Sequence, residues 1–300
     1  MIIKLNDTTT REVASELLRA RRHVGSASGM FLTLLVVSDE DHRDAALQAA
    51  RASATAHPSR VIVVTYAEGE PSLDAEIQVG EGIPGDLLAL TISGVLAKHA
   101  GSVLLPLLLP DSPTIAWWPH DAPDHPSEDP VGMLADRRIT DAGSADDPQE
   151  ALITRARNHT PGDTDLTWTR LTRWRALLAA ALDQYPRTVT RALVRSAPDN
   201  APATLLTAWL EERLCVPVDN EESTLPGVSE VRLTTDGGDI VINRGASDSI
   251  ALYNVPGQPE RKVALRRRPL TDLLTEELHR MDADDVFEAV VRRILKRRDT

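Results

Sequence analysis

Two continuous apolar runs, 31–37 (FLTLLVV) and 60–66 (RVIVVTY), set the pattern of the first half of the chain. Uninterrupted β-branched and aliphatic runs of this kind predict strands covered on both faces. Between them, 39–56 is rich in alanine and reads as a helix. It stops at His57-Pro58, because proline disfavours helical backbone in the residue before it. Strand, helix and strand within about 35 residues predict a parallel pair with a right-handed crossover. Ahead of the first run, Val13, Leu17, Leu18 and Arg21 lie at helical spacing, with Thr8, Thr9 or Thr10 as cap and Gly25 as stop. Further along, 74–79 alternates as a more exposed strand does, 87–92 suits another strand, and 114–118 a core strand. The segment 95–109 reads as a buried helix bent at Pro106. A Pro/Asp-rich loop fills 119–130, then a short helix (131–137), a short strand (138–141) and a helix over 147–158 capped by Asp146 or Asp147.

The turn-rich segment 159–165 is the boundary candidate, and the pattern changes after it. Residues 165–184 predict one long helix with Leu166, Leu171, Trp174, Leu177, Leu178, Ala181 and Leu182 on one face. A strand over 189–196 and a helix over 203–214 precede two hairpins, 231–235 with 240–243 around Asp236-Gly-Gly-Asp239, and 250–255 with 262–266. Helices over 271–281 and 283–298, the latter capped by Asp282, complete the pattern. The predicted fold is α/β. A doubly wound, mostly parallel, Rossmann-like sheet domain occupies 1–160, and a smaller α+β domain with antiparallel hairpins occupies 161–300.

Composition narrows the function. The chain has 300 residues, 42% of them apolar, which is enough for a packed core and too many for a disordered chain. Its net charge of −12 argues against nucleic acid or an anionic membrane as partner. The one cysteine, Cys215, makes no internal disulfide and suits a reducing cytoplasm. The start (MIIKLND) lacks a signal-peptide pattern, and the apolar 102–109 is too short to span a bilayer.

Candidate chemistry is sparse. Gly80-Glu-Gly-Ile-Pro-Gly85 matches G-x-G-x-x-G, but Pro84 sits where helical N–H groups should face a pyrophosphate, and no acidic residue follows at the ribose position. A turn explains it better. Gly25-Ser-Ala-Ser-Gly29 has Ala27 where a nucleophile elbow needs serine. His120, Asp121, Asp124, His125, Glu128 and Asp129 form a metal-like cluster, yet four prolines between 119 and 130 forbid a helix to preset it, and a solvated acidic loop is the simpler account. No catalytic residue, metal site or cofactor is nominated.

The tryptophans and arginines say more. Trp117 and Trp118, adjacent on a predicted strand, must point to opposite faces. Either both are core, or one ring stands at the C-terminal rim of the sheet, where α/β domains place ligands. Trp168, Leu171 and Trp174 share a helical stripe, with Arg170, Arg173 and Arg175 on other faces. Arg266-Arg-Arg268 and the last helical turn make a basic patch suited to an acidic partner protein.

Several segments then fit together: Asn6-Asp-Thr-Thr-Thr10; His57-Pro-Ser-Arg-Val-Ile-Val-Val64; His99-Ala-Gly-Ser-Val103; Leu108-Leu-Pro-Asp-Ser-Pro113 with Ala116-Trp-Trp-Pro119; Arg138-Ile-Thr-Asp141; and Pro161-Gly-Asp-Thr-Asp-Leu-Thr-Trp168 running into Arg173-Trp-Arg-Ala-Leu-Leu178. In order and spacing this resembles the OpcA family of glucose-6-phosphate dehydrogenase assembly proteins, in its actinobacterial branch. The resemblance implies a non-catalytic cytoplasmic partner that activates the dehydrogenase allosterically, with the NADP and glucose 6-phosphate sites on the dehydrogenase. Thiol-redox control, linked to cyanobacterial relatives, lacks a second cysteine here. On this basis Trp117, Trp118, Asp163, Asp165, Trp168, Arg170, Arg173 and Arg175 are the expected partner-binding residues. The alternative is an α/β enzyme or sensor that binds a sugar phosphate or nucleotide at the rim of the first sheet.

Overall fold

The structure, a computed structural model, describes residues 1–24, 29–80, 85–246 and 249–298. Strand β1 (Ile2–Leu5) and helix α1 (Thr10–Val24) precede the first apolar run, which forms β2 (Leu32–Val37). Thr9 and Glu12 start α1 with a capping box: Thr9 Oγ1 accepts the Glu12 N–H at 3.3 Å, and the Glu12 carboxylate accepts the Thr9 N–H at 2.9 Å. There follow α2 (Arg43–Ala56), β3 (Ser59–Ala67), β4 (Leu73–Val79), β5 (Gly85–Ser93), α3 (Ala100–Leu104), β6 (Thr114–Trp117), β7 (Arg137–Thr140), α4 (Pro148–Arg157) and β8 (Asp163–Asp165). The rest of the chain forms α5 (Leu166–Thr169), α6 (Thr172–Gln184), β9 (Val189–Ser196), α7 (Ala201–Leu214), β10 (Val218–Glu222) and β11 (Val228–Thr235). It ends in β12 (Gly238–Asn243), β13 (Ile250–Asn254), β14 (Arg261–Ala264), α8 (Leu270–Leu278) and α9 (Asp285–Arg298).

The chain packs as two units. The first comprises Met1–Asp141, Thr160–Thr164 and Leu270–Ala283, the second Ala142–His159, Asp165–Pro269 and Asp284–Thr300. A turn-rich segment shows where a chain can change direction, not which core a helix joins. So α4 packs with α7 and α9, and α8 packs with α2.

The sheet of the first unit runs β1-β4-β5-β3-β2-β6-β7-β8. Strands β5, β3, β2, β6 and β7 are parallel, while β4 and β1 run antiparallel at one edge. Among the parallel strands the order by sequence is 3-2-1-4-5, the doubly wound arrangement whose direction of winding reverses between β2 and β6. Alternation explains why β2 and β3 read as continuous apolar runs. Leu35, Ile62 and Val64 join the core that holds Val13 and Leu17 of α1 and Leu104 of α3. The alternate residues Leu34, Val36, Val61 and Val63 face the other way, where α2 presents Ala46, Ala49 and Ala50.

In the second unit a six-stranded sheet runs β10-β9-β11-β12-β13-β14, antiparallel except for β9 with β10. Ala192 and Val194 of β9, Val231 and Leu233 of β11, and Ile240 and Ile242 of β12 point to one face and form the core with α6, α7 and α9. The predicted α/β class, a mostly parallel sheet and a second, mostly antiparallel one, is the one observed.

Several local expectations change. The helix expected from Asp39 begins at Arg43, because the Asp39 carboxylate folds back onto the His42 N–H at 2.7 Å and holds 39–42 in a turn. The segment 95–109 breaks into short 3-10 turns on either side of α3, and 131–137 holds only a 3-10 turn at 132–134 before β7. The long helix over 165–184 is two helices, α5 and α6, interrupted at Arg170 and Leu171. Asp284, not Asp282, caps α9, its Oδ1 accepting the N–H groups of Val286 and Phe287 at 3.0 and 2.9 Å. The Gly25–Gly29 match falls mainly on residues outside those described, as do residues 81–84 of the G-x-G-x-x-G match. Its flanks are described: Gly80 follows β4 and Gly85 opens the antiparallel partner β5, so the next element is a strand and offers no helix N-terminus to a pyrophosphate.

Candidate functional site

The structure settles where the expected partner-binding residues lie. Trp117 and Trp118 do point to opposite sides of the first sheet, and both sides are covered, leaving the rings 0% and 2% exposed. The loop after β6 closes over Trp118: a Cβ on Gly132 would lie 1.7 Å from the Pro126 carbonyl oxygen and 3.3 Å from Trp118 Cη2. Neither ring stands at the rim. Asp163, partly exposed, pairs with the buried guanidinium of Arg138 and accepts the Thr160 N–H at 2.8 Å. Asp165 is buried and caps α5 by accepting the Thr167 N–H at 2.8 Å and the Ala142 N–H at 2.9 Å. Trp168 is also buried; its Nε1–H donates to Asp284 at 2.9 Å, and the Arg175 guanidinium lies 3.5 Å above its ring. These five residues therefore meet a partner chiefly through the surface they support. Besides Asp163, the residues of the set that reach solvent are the half-buried Arg170, Arg173 and Arg175.

Arg170 and Arg173 lead to a site. They line a cavity of about 240 Å³ in the second unit together with Arg244, Arg266, Arg267 and Arg268. Leu171, Trp174 and Leu265 give it an apolar floor. Five chain segments converge: the break between α5 and α6, Pro202 at the start of α7, the turn before β11, the end of β12, and the stretch after β14. Arg244 donates through Nη2 to the Val228 carbonyl at 2.5 Å, and its guanidinium lies 5.6 Å from the Trp174 ring centroid. Arg267 donates through Nη2 to the Pro226 carbonyl at 2.5 Å. Both guanidiniums therefore bracket Gly227, each with a nitrogen 3.3 Å from where a Cβ on that residue would sit. Planar five-donor forks gathered over an apolar floor suit carboxylate or phosphate oxygens, which they hold bidentately.

A larger cavity, about 500 Å³, lies at the N-terminal turn of α7. Its lining mixes Asp199, Glu221 and Glu222 with Arg297 and Arg298, so it selects no sign of charge. The arginine cavity has the chemical bias.

The metal-like loop of the sequence does not gather as a cluster. Asp129 caps the turn at 132–134, accepting the Val131 N–H at 2.8 Å, and His125 stands 4.0 Å from Glu128. His120 turns instead to Asp39 and His42, on the loop after β2, and the ligand atoms of these three lie within 4.8 Å of one another. That grouping was hidden in the sequence by about 80 residues of separation. Among the described residues no helix is long and apolar enough to cross a membrane.

Residues 50–157 match the family model described as the glucose-6-phosphate dehydrogenase subunit N-terminal domain, and 161–291 the model of the corresponding C-terminal domain. No curated protein sequence matches the chain. Among solved structures, a dehydrogenase (MviM) from Clostridium difficile aligns at 6% identity and TM-score 0.44, covering 89% of this chain and 97% of that one. The trehalose-6-phosphate structure from E. coli with bound UDP-2-fluoro glucose aligns at 12% identity and TM-score 0.27, covering 64% and 65%.

Proposed function

The chain belongs to the OpcA family of glucose-6-phosphate dehydrogenase assembly proteins, and from that premise we propose that it is a non-catalytic assembly factor and allosteric activator of glucose-6-phosphate dehydrogenase, acting by protein binding in the cytoplasm. The observation that carries the reading is that both halves of the chain match domains described as dehydrogenase subunits. The arginine cavity supplies chemistry for it: Arg170, Arg173, Arg266 and Arg267 receive carboxylates of the dehydrogenase, and Arg175 extends the contact.

Activation follows from differential binding. A partner that holds the active state of the dehydrogenase more tightly than the inactive one shifts the population; equal affinity shifts nothing. A coupling of about 1–3 kcal/mol changes the dehydrogenase's apparent substrate affinity about 5–150-fold. The test is co-purification of the two proteins, followed by dehydrogenase kinetics with and without this chain. A stable complex with a raised kcat/KM is expected. Turnover of glucose 6-phosphate by this chain alone, or neither association nor a kinetic change, overturns the reading.

Because guanidinium forks accept phosphate as readily as carboxylate, the same cavity favours a second reading, a sensor or enzyme for a sugar phosphate or nucleotide. Thermal shifts of the isolated chain with glucose 6-phosphate, 6-phosphogluconate and NADP separate the two, since a ligand of the folded state alone raises its apparent stability. Saturable stabilisation selects the sensor.

A further inference from the structure

The parallel strands of the first unit reverse their winding between β2 and β6, and the loops leaving these neighbours open the crevice where doubly wound sheets take ligands. Asp39 and His42 stand on the loop after β2, and His120 stands three residues beyond β6. We propose that these three side chains form a binding site for one first-row divalent transition-metal cation, with Zn²⁺ as its representative.

The donor set decides the class. Two imidazoles and one carboxylate suit Zn²⁺, Co²⁺, Ni²⁺ or Fe²⁺, whereas Mg²⁺ and Ca²⁺ take oxygen ligands. The geometry is preset by the chain itself. Asp39 is held by the His42 N–H at 2.7 Å, and its two oxygens lie 2.9 and 2.8 Å from His42 Nδ1. A cation takes the place of the proton shared there. The rings of His42 and His120 stack at 3.9 Å with 15° between their planes, so the two imidazoles already share one spot, and a tilt of one ring is needed to bring both in-plane lone pairs onto a single cation. His120 Nδ1 lies 3.1 Å from Asp121 Oδ1. Donation of that N–H to the carboxylate fixes the tautomer and leaves Nε2 as ligand, the outer-shell pattern usual for metal-bound histidine. His120 is largely buried, while Asp39 and His42 remain open to solvent, so a cation has an entry path. Among the described residues this is the one group of three or more such side chains with converging ligand atoms. Three protein ligands leave coordination positions for water or an oxyanion, as in open rather than structural zinc sites.

The full chain, stripped with a chelator, is titrated with Zn²⁺ by calorimetry and with Co²⁺ by visible absorption. Saturable uptake of one equivalent and Co²⁺ d–d bands are expected, with no response to Mg²⁺. His42→Ala and His120→Ala should each weaken binding about 100-fold or more, and Asp121→Asn about tenfold. His125→Ala and Cys215→Ser should leave it unchanged. Absence of saturable binding overturns the proposal. So does uptake that survives the His42→Ala, His120→Ala double variant with its melting temperature intact, or uptake lost in Cys215→Ser.

Discussion

The two units use arginine in opposite ways. In the first, guanidiniums are buried and committed. Arg60 donates Nε and Nη2 to Asp86 at 3.0 and 2.9 Å and Nη1 to the Leu107 carbonyl at 2.7 Å, with 7% and 2% of the paired side chains exposed. Arg137 donates Nη2 to Glu277 at 2.8 Å and Nη1 to the Arg280 carbonyl, and its pair is equally dry. In the second unit Arg195 and Arg232 tile the outer face of the sheet. Arg195 of β9 bridges Glu221 of β10 and Glu230 of β11, and Arg232 of β11 joins Glu230 to Asp239 of β12. One side chain locks a topology where water is excluded, and reads or tiles a surface where it is not.

Breaking a lock should cost most. Glu277→Ala strands a buried guanidinium and should cost about 3–5 kcal/mol, with Asp86→Ala comparable, both measurable by urea denaturation. Trp118→Ala belongs to the same scale, about 3–5 kcal/mol for an aromatic removed from a closed core. Arg195→Ala, on the tiled face, should cost about 0.2–1 kcal/mol, and less at high salt. If Arg195→Ala proves as costly as Glu277→Ala, the distinction between the two units fails.

The arginine cavity sharpens the contrast, because Arg173 lines it without the carbonyl bonds that tie Arg244 and Arg267 to the turn before β11. Arg173→Glu should weaken the complex with the dehydrogenase at least tenfold, roughly 1.4 kcal/mol, and move the melting temperature by no more than about 2 °C. Binding that tolerates this reversal places the interface elsewhere.

What the sequence exposed and what it hid divide along the same physical line. Long apolar runs announce β2 and β3, and Asp147 announces α4, whose Glu150 N–H it caps at 3.0 Å, because these signals are local. The edge strands β1, β8 and β10 escaped. They are short, and β10 (VDNEE) carries charge where a strand reader looks for apolar alternation. The α5–α6 break escaped because Trp168, Leu171 and Trp174 keep helical spacing straight through it. Arg170 and Arg173 were visible as arginines off the apolar stripe; Arg244 was not, since only folding brings the end of β12 to them. Asp39 and His42 were read as the first turn of α2. The Arg137–Glu277 lock spans 140 residues, and no local pattern reports it.

The smallest effect concerns acid. His57, at the end of α2, places Nε2 3.0 Å from His279 Nδ1, just beyond α8 in the same unit. Burial first, and the neighbouring imidazole second, hold His57 below the ordinary histidine value, against a carbonyl contact from Thr275 that pulls the other way. An imidazole depressed in the folded state is protonated first in the unfolded chain. Its stabilisation is therefore complete above the unfolded value near 6.5 and is lost as pH falls through that value toward the folded one. In the second unit the depressed acid is Asp219, held down chiefly by its hydrogen bond to Arg191, and its stabilisation persists until the carboxylate range is reached. Lowering the pH from about 7.5 to about 5.5 should thus loosen only the first unit, by about 1–2 °C in melting temperature. Hydrogen exchange resolved by segment should show faster opening at 43–56 and 270–278, with 189–196 and 228–243 unchanged, and His57→Gln should abolish the difference. Equal loosening of both sheets would mean that the acid response is global and that the His57–His279 pair is not its source.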